Sequence, residues 1–296
     1  MAAGIGGSSQ TYLVYLPDIW QPFIDRVFKQ QLFYQRFFKN YSDSVTEGGK
    51  TIMIPHDAEY TSAAVTTTSG DITANLVLDS RSIMDIDTWR QTARVFADYQ
   101  AAQVGKQYRI KEVYAENMAH ALAKDLDNAI RDLMTATNIT RVVNASTAGI
   151  KASDLEAALG IIESMNVPRE ECVWFFKPKV YYQEILAVQK LYDASQFGRT
   201  SLVEGAHDQL YGVPLGTTNG LLAPNASIEG GATRNVLAHN RAFAFAIGNL
   251  PGGTPSGVRM QEKGSENLRV TVVADIMYGV KAIQPSLRSV RLISNV

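Results

Sequence analysis

An alternating stretch from Ile72 to Ile86 constrains this chain more than any other feature. Ile72, Ala74, Leu76 and Leu78 fall on one face, and Thr73, Asn75 and Asp79 fall mostly on the other. Met84 and Ile86 then alternate with Asp85 and Asp87. Period two over this length predicts a strand with one covered face and one wet face. Its partner is a short strand, Thr51 to Ile54, which follows a Gly48-Gly49 turn and stops at Pro55. Between them, Tyr60 to Asp71 is rich in Thr, Ser and Ala and almost without large apolar residues. A two-stranded ribbon of this kind has no core of its own and is marginal in water. It must lie on something, no other segment offers itself as a cover, and a second copy of the chain is the expected support.

A strand, Arg94 to Ala97, and one long helix from about Gln103 to Thr135 follow. Ala115, Met118, Ala119, Leu122, Leu126, Ala129, Ile130 and Leu133 recur at spacings of three and four, while Lys111, Glu116, Lys124, Asp125 and Arg131 point elsewhere. Roughly thirty helical residues would span on the order of 45 Å, a spine crossing the whole subunit.

Ahead of the ribbon, Met1 to Gln10 reads as a mobile tail. An aromatic arm runs from Tyr12 to Tyr41, with Pro17 suited to a first helical position. Trp20, Ile24 and Phe28, beside Ile19, Phe23 and Val27, recur at helical spacing. Two readings stay open: a helix packed on its own core, and an arm docked partly on another subunit.

Beyond a loop from Thr137 to Gly149 the pattern is mixed α/β. Ser153 is the expected N-cap, with Glu156 completing a capping box, of a helix Asp154 to Met165. Cys172 to Phe176 reads as a buried strand and Lys179 to Leu191 as a helix. Val213 to Thr217, Val236 to Ala238 and Phe243 to Ile247 read as short strands. Gly248 to Glu266 reads as a surface excursion, and the chain closes with strands Arg269 to Ala274, Met277 to Ile283 and Ser289 to Ile293.

Composition narrows function by exclusion. With 28 Lys and Arg against 29 acids in 296 residues, a net charge of -1 argues against strong adhesion to nucleic acid or an anionic membrane. The single Cys172 excludes an internal disulfide framework and points to a reducing cytoplasm. No apolar run reaches membrane-spanning length, and no secretory leader pattern opens the sequence. Gly49-Lys50-Thr51 ends like a phosphate-binding loop, but Ser44 stands where its opening glycine belongs and a strand follows where a helix should begin. His56, His120, His207 and His239 sit in separate segments without metal-ligand spacing. Asp85 and Asp87 read as the wet face of the ribbon rather than as paired catalytic carboxylates. No catalytic, cofactor or metal site is expected, and the chain reads as a non-enzyme.

The order of these elements resembles the major capsid proteins of tailed bacteriophages, with the α+β Hong Kong 97-like capsid fold. The stretches that carry the resemblance are Gly48-Gly49-Lys50-Thr51-Ile52-Met53-Ile54-Pro55, Tyr114-Ala115-Glu116, Tyr211-Gly212-Val213-Pro214 and Tyr278-Gly279-Val280-Lys281. It implies an N-terminal arm at 1–48, an extended loop at 49–91, a peripheral domain at 92–150 with 267–296, and an axial domain at 151–266. It further implies pentamers and hexamers of an icosahedral head around double-stranded DNA, assembled in a host cytoplasm and found in the virion. The implied partners are other copies of the chain, a scaffolding protein, a portal protein, a cement protein and packaged DNA held by weak nonspecific contact, with no membrane. Trp20, Phe23, Phe28, Tyr60, Asp71, Arg81, Asp85 and Asp87 are the expected inter-subunit contacts. Some relatives cross-link their shells through an extended-loop lysine. Here no lysine lies between Lys50 and Lys106, so a non-covalent shell is expected. No long charged helical region precedes the arm, which points to a separately encoded scaffold. The rival readings are a cellular nanocompartment shell of the same fold and a soluble α/β enzyme.

Overall fold

A computed structural model describes residues 29, 32–45, 50–56, 80–97, 110–145, 149–186, 209–221, 233–250, 259–263 and 269–294. In chain order, helix α1 (Tyr34–Phe37) and strand β1 (Lys39–Asn40) precede the ribbon strands β2 (Thr51–His56) and β3 (Ser80–Asp85). Strand β4 (Thr88–Ala97) leads to the spine helix α2 (Ile110–Asp132), then to β5 (Val142–Asn144), α3 (Ala152–Ser164) and β6 (Cys172–Phe176). A helical turn, α4 (Pro178–Val180), runs on as a π-helical turn over Tyr181–Ile185. The remaining elements are β7 (Gln209–Leu210), β8 (Val213–Thr217), β9 (Thr233–His239), β10 (Phe243–Ile247), β11 (Arg259–Lys263), β12 (Arg269–Ala282), α5 (Pro285–Arg288) and β13 (Ser289–Ser294).

Strand β12 organises the first sheet. It pairs antiparallel with β4 from Tyr278 opposite Thr88 to Arg269 opposite Ala97. Tyr278 is also opposite Ile247, and Asp275 is also opposite Arg259, so β10 and β11 share the other edge of β12. β1 adds in parallel beyond β10. The expected break after Ala274 is absent, and β12 is one strand of 14 residues. Asp disfavours strands, but the buried Asp275 accepts a hydrogen bond from Trp89 Nε1 at 3.0 Å. Part of the expected surface excursion is in fact the strand β11, whose Arg-Met-Gln-Glu-Lys sequence carries too little apolar alternation to announce itself. A second expected loop likewise contains β5, which pairs in parallel with β13.

The second sheet has the order β5-β13-β9-β6-β8-β7. It is buried on both faces, which is why β6 reads Cys-Val-Trp-Phe-Phe without alternation. Val173 and Phe175 face one cluster with Met118, Leu122, Leu126 and Ile130 of the spine. Trp174 and Phe176 face another with Leu155, Ala158, Leu159 and Ile162 of α3. The latter spacing of three and four is what makes α3 amphipathic. Its N-terminus lies earlier than expected. Lys151 is the N-cap, Ser153 sits inside the first turn, and Asp154 Oδ2 accepts the Lys151 N–H at 2.9 Å.

Buried arginines close the C-terminal end of the spine. Arg234 Nη1 donates to the Met134 carbonyl at 2.9 Å and Arg291 Nε to the Ile139 carbonyl at 2.8 Å. Cations belong at this end of a helix dipole. Expected helical residues before Ile110 lie outside the described residues.

Candidate assembly surface

Register assigns the two faces of the ribbon. Thr51 is opposite Asp85, Met53 opposite Ile83 and His56 opposite Ser80. Directly opposed residues share a face, so Ile52, Ile54 and Met84 lie together, and Met53, Ile83, Arg81 and Asp85 lie on the reverse. The first face packs on the chain's own body: Ile54, Met84 and Ile86 meet Val45, Ala244, Ala246 and Ile283. The expectation that a neighbouring copy supports the ribbon is therefore corrected for this portion. Small residues at 244 and 246 on β10 form a seat that sequence reading overlooked. Pro55, expected to end β2, lies inside it. A two-stranded ribbon leaves each strand one edge that needs no N–H donor.

Two close approaches set the seat. A Cβ on Gly279 of β12 would stand 2.9 Å from the Asp85 carbonyl carbon and 3.1 Å from Ile86 Cα, so only glycine lets the ribbon cross there. The Ile86 N–H then closes the ribbon base on the Lys50 carbonyl at 2.8 Å.

The reverse face carries Met53 at 58% and Ile83 at 39% exposure, an apolar cross-strand pair open to solvent. Arg81 Nη1 lies 3.5 Å from Met53 Sδ. Asp85 accepts from Thr51 Oγ1 at 3.0 Å, and Asp87, in the connection to β4, accepts from Thr88 Oγ1 at 3.2 Å. The structure thus brings Arg81 and Asp85 onto one exposed face, with Asp87 exposed just beyond it. Trp20, Phe23, Phe28, Tyr60 and Asp71 lie outside the described residues.

The first sheet has a second open surface. Ala274, Ile276 and Tyr278 turn to the core beneath the spine, and Arg94 stands over the Tyr114 ring, 4.7 Å from its centroid. On the opposite face Trp89 is 61% and Val95 53% exposed. Trp89 is fixed by its bond to Asp275, so a large aromatic is held outward in one orientation, the character of an interface anchor. Sequence reading missed it because the strand was placed at Arg94. The signal was the alternation of Thr88, Arg90, Thr92 and Arg94 with Trp89, Gln91, Ala93 and Val95.

The described part of the aromatic arm packs on its own chain. Phe38 meets Phe243 edge-on with centroids 5.2 Å apart, and Phe33 meets Phe175 at 5.6 Å. Asp127 of the spine, only 2% exposed, locks it: Oδ1 accepts the N–H groups of Tyr34 at 3.0 Å and Gln35 at 3.2 Å. This supplies from another helix the cap that Phe33 cannot give α1. Burial holds the Asp127 carboxyl above its ordinary range, against the pull of those amides and of Arg131. Cys172 is buried, as its apolar strand implied, and burial followed by the charge of Glu171 pushes its thiol up to about 12. Among the described residues no helix is long and apolar enough to cross a membrane.

The fold matches solved capsid structures along nearly the whole chain. The capsid structure of the cyanophage P-SCSP1u superposes with a TM-score of 0.74 at 16% identity, covering 94% of this chain and 92% of that one. A structure from Mycobacterium phage Che8 gives 0.73 at 18% identity over 94% and 97% of the two chains. The capsid of a native GTA particle gives 0.72 at 13% identity over 99% and 100%. No protein-family model matches the chain, and no curated protein matches it. The chain has the fold of phage capsid proteins, the mixed helix-and-sheet fold that its element order resembled.

Proposed function

We propose that this chain is the major shell protein of a phage head. Copies assemble into the pentamers and hexamers of an icosahedral particle around double-stranded DNA, with a structural and non-enzymatic role. The observation that carries the reading is coverage in both directions: the GTA capsid match leaves no domain over in either chain, covering 99% of one and 100% of the other. Residues 1–48 act as the arm, 49–91 as the reaching loop, 92–150 with 267–296 as the peripheral domain and 151–266 as the axial domain. Trp89, Val95, Met53 and Ile83 are the anchors offered to neighbouring copies, joined by Arg81, Asp85 and Asp87 at their rims. Scaffold, portal and cement proteins are the partners of assembly, which takes place in a host cytoplasm and ends in the virion. The shell is non-covalent, because the loop has no lysine between Lys50 and Lys106 to form a cross-link.

Co-expression with the scaffold of its own genome, followed by sedimentation and negative-stain microscopy, tests this. Uniform closed particles are expected, dissociating to single chains in denaturing gels. A small soluble oligomer under every condition overturns the shell reading, and a ladder of covalent multimers overturns the non-covalent one.

A further inference from the structure

Register lays out the exposed face of the ribbon as three rows of two residues. Thr51 is opposite Asp85, Met53 opposite Ile83 and Pro55 opposite Arg81, and all six are exposed. The middle row is apolar. Each outer row joins one charged residue to a short neutral one, and the two charges are opposite in sign.

Both charges sit on β3, two residues to either side of Ile83. Strand geometry sets Arg81 and Asp85 about 14 Å apart, so they cannot pair with each other within one chain. Among the described residues neither joins an ion pair. Their contacts hold them on this face: Asp85 accepts from Thr51 Oγ1 in its own row at 3.0 Å, and Arg81 Nη1 lies 3.5 Å from Met53 Sδ. The other face of the ribbon rests on the chain's own body through Ile54 and Met84, so the base of the ribbon is fixed while this face stays open.

The pattern is self-complementary under one operation, as a two-fold interface requires. A two-fold axis between facing ribbons, crossing the strands through the Met53–Ile83 row, reverses the order of the rows. Asp85 of each copy then stands over Arg81 of the other, and Met53 and Ile83 each stand over their own counterparts. Thr51 falls over Pro55, where short side chains leave room for the charged pair beside them. A two-fold axis along the strands instead sets Asp85 over Thr51 and Arg81 over Pro55, with neither charge matched.

We infer that the exposed ribbon face binds the same face of a second copy, antiparallel about a two-fold axis. Met53 and Ile83 form its centre, and reciprocal Arg81–Asp85 pairs close its two ends. The pairing rests on the shell reading above. Six residues a side fall far short of the roughly 20–30 of a standard stable interface, so the shell must hold the copies near enough for the faces to meet.

Cysteine cross-linking of assembled particles tests the pairing. A residue beside a two-fold axis meets itself, so Ile83→Cys particles treated with a short bis-maleimide should give dimers in denaturing gels. Wild-type particles, whose one cysteine is the buried Cys172, set the background. The axis sets position 81 of one copy about 14 Å along the strand from position 81 of the other. Arg81→Cys and Asp85→Cys should therefore give no dimers alone, and dimers when the two variants are co-assembled. Particles without the 83–83 link, or with 81–81 links as abundant as 81–85 links, overturn the pairing and leave the shell reading standing. A wild type that forms no particles overturns the shell reading and the pairing with it. Should Ile83→Cys not assemble, Met53→Cys in the same row should give the same dimers. Charge supplies an independent arm. Arg81→Glu sets like charges together and should lower particle yield about tenfold or more, whereas R81D/D85R keeps the face self-complementary and should restore it. Equal yield in wild type and R81E, or no recovery in the double swap, overturns the inference.

Discussion

Replacing Gly279 by alanine tests the account of how the ribbon is seated. The added Cβ would stand 2.9 Å from the Asp85 carbonyl carbon and 3.1 Å from Ile86 Cα. Ordinary contacts lie at about 3.5–4.0 Å, and the Asp85 carbonyl oxygen would stand closer to the added Cβ than either of these carbons, so the ribbon must rise by roughly 1 Å. The obstructing atoms are backbone and cannot rotate aside. A gap of that size forfeits about a quarter to a half of each dispersion contact it opens. The side chains affected are Ile54, Met84 and Ile86, which pack on Ala244, Ala246 and Ile283. Full burial of such a side chain is worth about 1.5–3 kcal/mol, so the combined loss is on the order of 1–3 kcal/mol, as for overpacking in general. A gain of about 0.4–1 kcal/mol from the stiffer unfolded chain offsets part of it. Calorimetry should therefore show Gly279→Ala melting lower, by about 2–4 °C for each kcal/mol lost. Amide exchange at Ile86, whose N–H holds the Lys50 carbonyl at 2.8 Å, should accelerate. The control is Gly160→Ala in α3, where a Cβ meets nothing within 4 Å; there alanine is favoured by about 1 kcal/mol and the melting point should rise. Equal melting and exchange in Gly279→Ala and wild type would show that the ribbon does not sit where this reasoning puts it.

Three further outcomes are expected. Asp127→Ala should cost about 1–3 kcal/mol in urea unfolding, since it strands the buried Tyr34 N–H and the part-buried Gln35 N–H, while Asp127→Asn keeps an acceptor and should recover most of it; equal loss in both variants would mean that charge, and not acceptance, matters. With its thiol pushed up to about 12 by burial and then by Glu171, Cys172 should resist a thiolate-seeking reagent at about pH 8 until the chain unfolds, and rapid stoichiometric labelling of native protein would refute this. His239 is held below its ordinary value by burial and by Arg288 and Arg241, so the native state binds its proton more weakly than the unfolded state does. Stability should then fall as pH drops below about 6.5 towards the folded value. His239→Gln should flatten that limb of the melting profile without abolishing it, because His56 is shifted in the same direction; superimposable profiles would exclude His239 as a contributor.

Elements whose own sequence carries both burial and period were legible before any coordinates. Cys172–Phe176 is apolar without a break because two cores press on it. The spine and α3 repeat their apolar residues at three and four. Illegible features were those settled by a partner distant in sequence. Asp275 looked like a strand breaker until Trp89, 186 residues away, supplied its hydrogen bond. Asp127 carries no sign in the spine's own sequence that it turns inward to the arm's amides, 93 and 92 residues away.

The ribbon shows the same division within a few residues. Alternation in Met84-Asp85-Ile86-Asp87 told which side is covered, but not whose body covers it. Ala244 and Ala246 make the cover, and alanine in a strand signals little by itself. Strand β2 held more information than alternation used. Ile52, Met53 and Ile54 are apolar in succession, and consecutive strand residues point to opposite sides. A ribbon wet on one side would have a polar residue at 53. Its body already occupies the side of Ile52 and Ile54, so the Met53–Ile83 pair stands exposed on the other side, where the proposed shell would set a neighbouring copy. The seat fixes the height and direction of that pair relative to Trp89.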